Sequence, residues 1–293
     1  MKKLSKRLLS AFLALAMLAA VLPVVDAQAD TKKENLTLYV GEAIYFTNYS
    51  KVTSVKSSKS DVVKVAKDKK NNTHANLTAK KAGKSKVTIK TKSGTSVYTV
   101  TVKKLDFDVT LTKISEGNIL MSVKNNTKQI FDYVEVKYTL KGADGEVLAE
   151  DTKLLDDSMP GKMSYANITY SSYSYTVDIE QCSAKAKEVT RSFTATYKNA
   201  ESKVKVTDSV DMEKNPGYAT VTVKAKNTSS KSVKGKVSIV LYDAQGNKIG
   251  TRPVSFYIKG SATDTETVKI DVSYVYTDYD HYEIEKCLYF KTY

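Results

Sequence analysis

The densest group of possible metal ligands in the chain is Asp278-Tyr279-Asp280-His281-Tyr282-Glu283. Its hard carboxylates and imidazole could hold Ca²⁺ if a loop converged them, but the run lacks the D-x-[DN]-x-[DN]-G spacing that shapes a calcium loop. Asp106 and Asp108 offer a smaller carboxylate pair of the same chemistry. No metal is assigned to either group. Nucleophilic chemistry has less material still. The chain holds 2 His and 2 Cys in 293 residues, with no H-E-x-x-H, no G-x-S-x-G and no paired C-x-x-C. His281 precedes Cys287 on what reads as one strand, which would leave them about 20 Å apart at about 3.3 Å per residue. Ala82-Gly83-Lys84-Ser85 has the ending of a phosphate loop, but Thr78 stands where the first glycine is needed, and a strand pattern follows instead of a helix. The residues read as those of a non-catalytic protein with no cofactor.

Binding chemistry has better candidates. The formal net charge is +14, and residues 30–104 alone carry 17 Lys against 5 acids, with no Arg. Residues 105–199 hold 11 basic and 14 acidic side chains, and residues 200–293 hold 14 and 12. Lys64, Lys67, Lys69 and Lys70, then Lys80, Lys81, Lys84 and Lys86, form the candidate surface for a polyanion. Lysine presents a point charge where arginine presents a planar fork, so a lysine-only excess suits diffuse attraction to a charged polymer. The same lysines would also guard strand edges. Tyrosines make the second set: Tyr170, Tyr173 and Tyr175, with Tyr165 nearby, and Tyr274, Tyr276 and Tyr279, with Tyr282. An exposed Tyr ring can stack on a sugar or pack against a protein partner. Tyr is also a good strand former, and alternating pairs such as Tyr173/Tyr175 and Tyr274/Tyr276 would then line one sheet face.

Residues 1–29 place this chemistry in a compartment. Lys2, Lys3, Lys6 and Arg7 precede an apolar stretch from Leu8 to Val25, and Ala27-Gln28-Ala29 supplies a small-residue cleavage site. Pro23 and that site favour a cleaved secretory signal over a retained anchor, and no later segment is apolar enough to span a bilayer as a helix. An exported, extracellular or envelope-associated chain is expected, with no transmembrane segment after cleavage. Its partners would be an anionic cell-wall polymer, an extracellular glycan or a protein. Nucleic acid does not suit that compartment.

What must position these residues is a set of short strands. From Asn35 onward Val, Thr, Ile and Tyr alternate with polar residues between Gly, Asn, Asp and Ser turns, the pattern of antiparallel strands buried on one face. With 20 Tyr and 7 Phe the chain is too aromatic for disorder, and with 12 Gly it is no collagen. The later two thirds repeat themselves about every 100 residues. Ser122 to Thr127 matches Lys224 to Ser229, and Leu140 to Leu148 matches Leu241 to Ile249, each with an Asp-Gly or Gln-Gly hairpin. Met159-Pro160-Gly161 aligns by sequence with Ile258-Lys259-Gly260, and Cys182 with Cys287. On this alignment each Cys is a small buried residue of its own repeat, and a bond between them is not expected. The expected fold is all-β, with three tandem Ig-like β-sandwich domains after the signal, at 30–104, 105–199 and 200–293.

The first of these segments resembles the bacterial Ig-like domain, group 2. The resemblance lies in Leu36 to Glu42, Val55 to Val65, Leu77 to Ile89 and the closing Tyr98 to Val102. Val55 replaces the core Trp usual in that family. The second and third segments resemble FxLYD-type extracellular sandwiches, most clearly over Val237 to Gly246 after Lys226-Asn227-Thr228. The resemblances imply exported envelope proteins built of tandem modules, and neither family brings an active site.

Overall fold

The computed structural model describes residues 31–48, 50–191, 196–211, 218–271 and 279–292. The signal segment, Tyr274, Tyr276 and Asp278 lie outside these residues. The chain divides into two compact units, one of residues 1–105 with 188–194 and one of 106–187 with 195–293.

The first unit is a sandwich of two sheets. β1 (Lys32–Tyr39), β7 (Thr95–Lys103), β6 (Gly83–Thr91) and β3 (Val52–Ser57) form one sheet in that order. β2 (Ala43–Thr47), β5 (His74–Ala79) and β4 (Val63–Lys67) form the other. Alternate residues of both enter one core, including Leu38, Ile44, Phe46, Leu77, Val87, Ile89 and Val100, and the Phe46 and Tyr98 rings lie 4.4 Å apart. Val55 packs against that core as a partly buried residue. Among the described strand pairs of this unit the antiparallel expectation fails at one place. β1 runs parallel to β7, from Lys32 opposite Ser96 to Tyr39 opposite Lys103. Alternation reports which face of a strand is buried and says nothing of its direction, so it could not distinguish the two.

The second unit holds both repeats. In the first repeat β8 (Phe107–Ser115), β9 (Asn118–Asn125) and β12 (Met163–Thr169) make one sheet, and β10 (Phe131–Lys141), β11 (Val147–Ser158) and β13 (Ser183–Thr190) the other. Phe107 meets Phe131 across the two, centroids 5.8 Å apart. In the second repeat β15 (Val204–Asp211), β16 (Tyr218–Asn227) and β19 (Thr263–Asp271) face β14 (Thr196–Asn199), β17 (Val233–Asp243), β18 (Lys248–Ile258) and β20 (Tyr279–Thr292). Val204, Val223, Val237, Ile239, Phe256 and Leu288 fill the core between them.

The expected hairpins occur in both repeats. Gly145 and Gly246 take φ of 81° and 79°, and each hairpin carries a register shift beside its turn, after Leu140 and after Leu241. A second repeated device lies at the end of β9 and of β16. Asn125 is fully buried. Its amide donates to the carbonyls of Gln129 (2.9 Å) and Ser158 (3.2 Å), and its Oδ1 accepts from the Thr127 N–H and hydroxyl. Asn227 does the same with Lys231, Ile258, Lys259 and Ser229. These bonds correct the alignment by one residue. Ser158 is equivalent to Ile258 and Met159 to Lys259, and the left-handed turn residue is Gly161 in one copy and Ser261 in the other.

The two repeats are not independent beads. Leu120 and Tyr165, on the outer face of the β12-β9-β8 sheet, pack on Val240, on the outer face of β17. Beside them the Tyr165 hydroxyl meets Glu285 at 3.0 Å, and Lys248 reaches Glu285 at 2.9 Å and also contacts Tyr165. Farther along, Ile130 and Met159 cluster with Cys287 and Tyr289. Tyr289 donates to Asp157, and Tyr197 and Lys291 both bond Asp132, the latter at 2.9 Å. Tyrosine suits such a seam, since its ring is buried while its hydroxyl satisfies a carboxylate.

Candidate functional site

Strand pairing separates the candidate lysines of the first unit. Lys64 and Lys67 stand on β4 and Lys84 and Lys86 on β6, which belong to different sheets of the sandwich. Lys69 and Lys70 lie in the turn after β4, with Asp68 accepting from the Lys70 N–H at 2.7 Å, and Lys67 Nζ is engaged by the Thr53 carbonyl at 2.9 Å. Lys80 and Lys81 occupy the turn between β5 and β6. The eight therefore do not form one patch. Proximity in sequence groups turn and strand neighbours, whereas a sheet sends successive side chains to opposite faces.

Another lysine group is gathered instead. Ser85, Val87 and Ile89 of β6 point inward, so Lys84, Lys86, Thr88 and Lys90 point out. Across the sheet Lys84 pairs with Thr101, Lys86 with Thr99 and Lys90 with Thr95, while Thr88 lies between Val97 of β7 and Lys56 of β3. Val97 in turn pairs with Lys33 of β1. Lys33, Lys56, Lys84, Lys86 and Lys90 thus share one exposed face studded with threonine, and no carboxylate occupies these rows. Along β6, Lys84 and Lys86 are about 7 Å apart and Lys86 and Lys90 about 13 Å. Lys33, Lys56 and Lys90 were not among the sequence candidates. The alternation in 84–90 already placed Lys90 with Lys84 and Lys86, but Lys33 and Lys56 join only through pairing with distant strands.

At one end of this sheet Arg191, in the 188–194 segment of the same unit, lies 5.7 Å above the Tyr39 ring. Its guanidinium donates to Glu42 Oε1 at 2.8 Å and to the Thr37 carbonyl at 2.7 Å. Glu42, 1% exposed, also accepts from the Tyr39 N–H at 2.6 Å. Burial raises its pKa against the pull of the guanidinium.

The tyrosines divide by role. Tyr165 belongs to the seam between the repeats. Tyr170 and Tyr175 stack at 5.8 Å with planes 11° apart, and the Tyr170 hydroxyl reaches Glu116 at 3.3 Å. Tyr173 and Tyr175 do not line a sheet face. Residues 170–178 are turn and loop, in which Ser174 closes on Ser171, so Tyr175 folds back on Tyr170 and Tyr173 stands wholly exposed. The Ser and Tyr run alternates like a strand, yet it has no strand partner, and the local serine hydrogen bonds win. Tyr279 packs partly buried on the core of the second repeat, and Tyr282 donates to Asp208 at 2.5 Å.

Asp278 lies outside the described residues, and the other acidic candidates build no common site. His281 bonds Asp280 at 2.7 Å and stacks on Tyr242 at 5.1 Å, and among the described residues no cluster of His, Cys, Asp and Glu suits a metal. Asp106 and Asp108 are exposed, with Asp108 opposite Lys124. Cys182 and Cys287 are free and are not equivalent. Cys182 stands just before β13, its sulfur accepting from the Lys141 N–H at the hairpin (3.4 Å), whereas Cys287 lies within β20, opposite Lys236 of β17. Burial and the nearby Asp157 push the Cys287 thiol up to about 12, and it donates to the Asp157 carbonyl at 3.0 Å.

No protein-family model matches this chain, and no curated protein does. Among solved structures, the I9–I11 tandem from titin is similar over 81% of this chain and 96% of its own, at 12% identity and a TM-score of 0.21. Trypsin-activated alpha-2-macroglobulin from Escherichia coli is similar over 80% of this chain and 21% of its own, at 8% identity and a TM-score of 0.18. The sandwich architecture rests on the sheets and cores described above. No helix among the described residues is long and apolar enough to cross a membrane.

Proposed function

We propose that this is a non-catalytic, exported modular protein of the cell envelope whose first unit holds an anionic wall polymer on the outer face of the β1-β7-β6-β3 sheet. The observation that carries the reading is that face itself, where Lys33, Lys56, Lys84, Lys86 and Lys90 share rows with threonine and asparagine and with no acid. The secretory pattern of residues 1–29 and the resemblances to bacterial Ig-like and FxLYD modules support the compartment. Exposed charges act over a Debye length of about 8 Å at physiological salt, so binding of this kind weakens steeply as salt rises.

The test is co-sedimentation of residues 30–293 with isolated cell walls at low and high salt. Exchanging Lys56, Lys84, Lys86 and Lys90 for Gln should release the protein into the supernatant. Exchanging Lys64, Lys67, Lys69 and Lys70, off this face, should leave it bound. Equal loss in both variants would refute a localised site, and retention in the first would refute the reading. A second reading, adhesion to a glycan or protein through tyrosine, is favoured by Tyr173, fully exposed on a turn beside the stacked Tyr170 and Tyr175. Salt-resistant binding lost in Tyr173→Ala would support it.

A further inference from the structure

The charge of residues 200–293 is nearly balanced, 14 basic against 12 acidic, yet strand pairing sorts it. In the β15-β16-β19 sheet the residues that alternate with buried Val204, Val221, Val223 and Ala225 point outward. Lys205 lies directly opposite Lys226, which lies opposite Thr263. The next row is Thr207, Lys224 and Thr265, and the one after begins Ser209, Thr222. All the lysines and threonines of the first two rows are exposed, and no carboxylate interrupts them.

This is the composition of the first unit's face, with one addition. Like charges directly across an antiparallel pair repel, and sheets ordinarily place opposite charges there. On the sheet of β10 and β11 a lysine does find a carboxylate on the neighbouring strand, where Lys137, opposite Thr152, reaches diagonally to Glu150 at 3.0 Å. Solubility alone would be served as well by such a mixed face. Lys205 and Lys226 in register, edged by hydroxyl donors, gain instead from an anion seated between them.

We propose that the outer face of β15-β16-β19 is a second polyanion-binding surface, taking the same class of linear, closely charged polymer as the first unit, so that one molecule is bivalent. The inference rests on the reading of the first unit, since avidity requires both faces. Two weak contacts on one polymer exceed either alone, because the second forms at the effective concentration set by the first.

The experiment is a salt titration of binding to long-chain inorganic polyphosphate, with heparin as the polysaccharide arm, for residues 30–293 and three variants. Replacing Lys205, Lys224 and Lys226 with Gln should weaken binding about tenfold or more and flatten the log–log salt slope by about two. Unchanged binding in that variant, with loss in the Lys56/Lys84/Lys86/Lys90 variant, overturns this inference and leaves the first-unit reading standing. Loss in the former with none in the latter overturns the first-unit reading and bivalency together. No binding of either polymer by the unaltered chain overturns both. Lys205→Glu guards against misfolding as a cause, because it gives Lys226 an opposite charge. It should melt no lower than the unaltered chain and still bind more weakly, and full binding would count against the proposal.

Discussion

Glu42 depends on a partner 149 positions away in the chain. Alone at 1% exposure its charge would be costly, and the Arg191 guanidinium makes it tolerable. Arg191→Ala strands that carboxylate, and the first unit should lose about 3 kcal/mol, read as an earlier midpoint in denaturant at neutral pH. Asp157 has the opposite economy. It is 5% exposed at φ 53°, and burial raises its pKa above the ordinary 3.8 even though Tyr289 and Lys234 favour its charged form. A carboxyl raised on folding stabilises fully below its unfolded value, and that contribution is lost as pH climbs through the raised one. Asp157→Asn keeps an acceptor for Tyr289 and a residue that tolerates positive φ. The variant should therefore gain in melting temperature relative to the unaltered protein between pH 4 and pH 8, and a constant difference over that range would show that Asp157 does not titrate there.

Strands and hairpins could be read from alternation, because burial of one face leaves its mark on every second residue: β6, β7, β10, β16 and β17 fall where Val, Ile and Thr alternate. The Asn125 and Asn227 turns could not, although both residues stood in the repeat. Their role depends on carbonyls of Ser158 and Ile258, brought near only when a later strand folds back. Asn227→Ala removes a fully buried side chain's bonds to the carbonyls of Lys231, Ile258 and Lys259 and from the Ser229 N–H, and should cost about 3 kcal/mol, while Thr228→Ala beside it, whose hydroxyl makes an exposed bond to Lys203, should cost under about 1 kcal/mol. Chemical denaturation of the two variants separates them. The lysine face was legible to the same extent. Lys84 and Lys86 were visible within one strand, whereas Lys33 and Lys56 required knowledge of which strands are neighbours.

At the level of the molecule, the seam of Leu120, Tyr165 and Val240, with Tyr289 on Asp157, ties the repeats into one cooperative body. Repeat spacing in a sequence says how many times a sandwich was copied but not whether the copies bury a face together. Calorimetry should accordingly show two transitions for residues 30–293, one for each compact unit, where independent repeats would give three. The parallel partnership of β1 and β7 has a mechanical consequence. These are the first and last strands of the first sandwich, and their register runs unbroken for the whole length of β1. A pull that separates the start of β1 from the end of β7 slides one strand along the other, so the cross-strand bonds share the load instead of opening singly from an end. Stretched between those points by optical tweezers, this unit should yield abruptly at high force, as a tether under tension would need, and not unzip gradually.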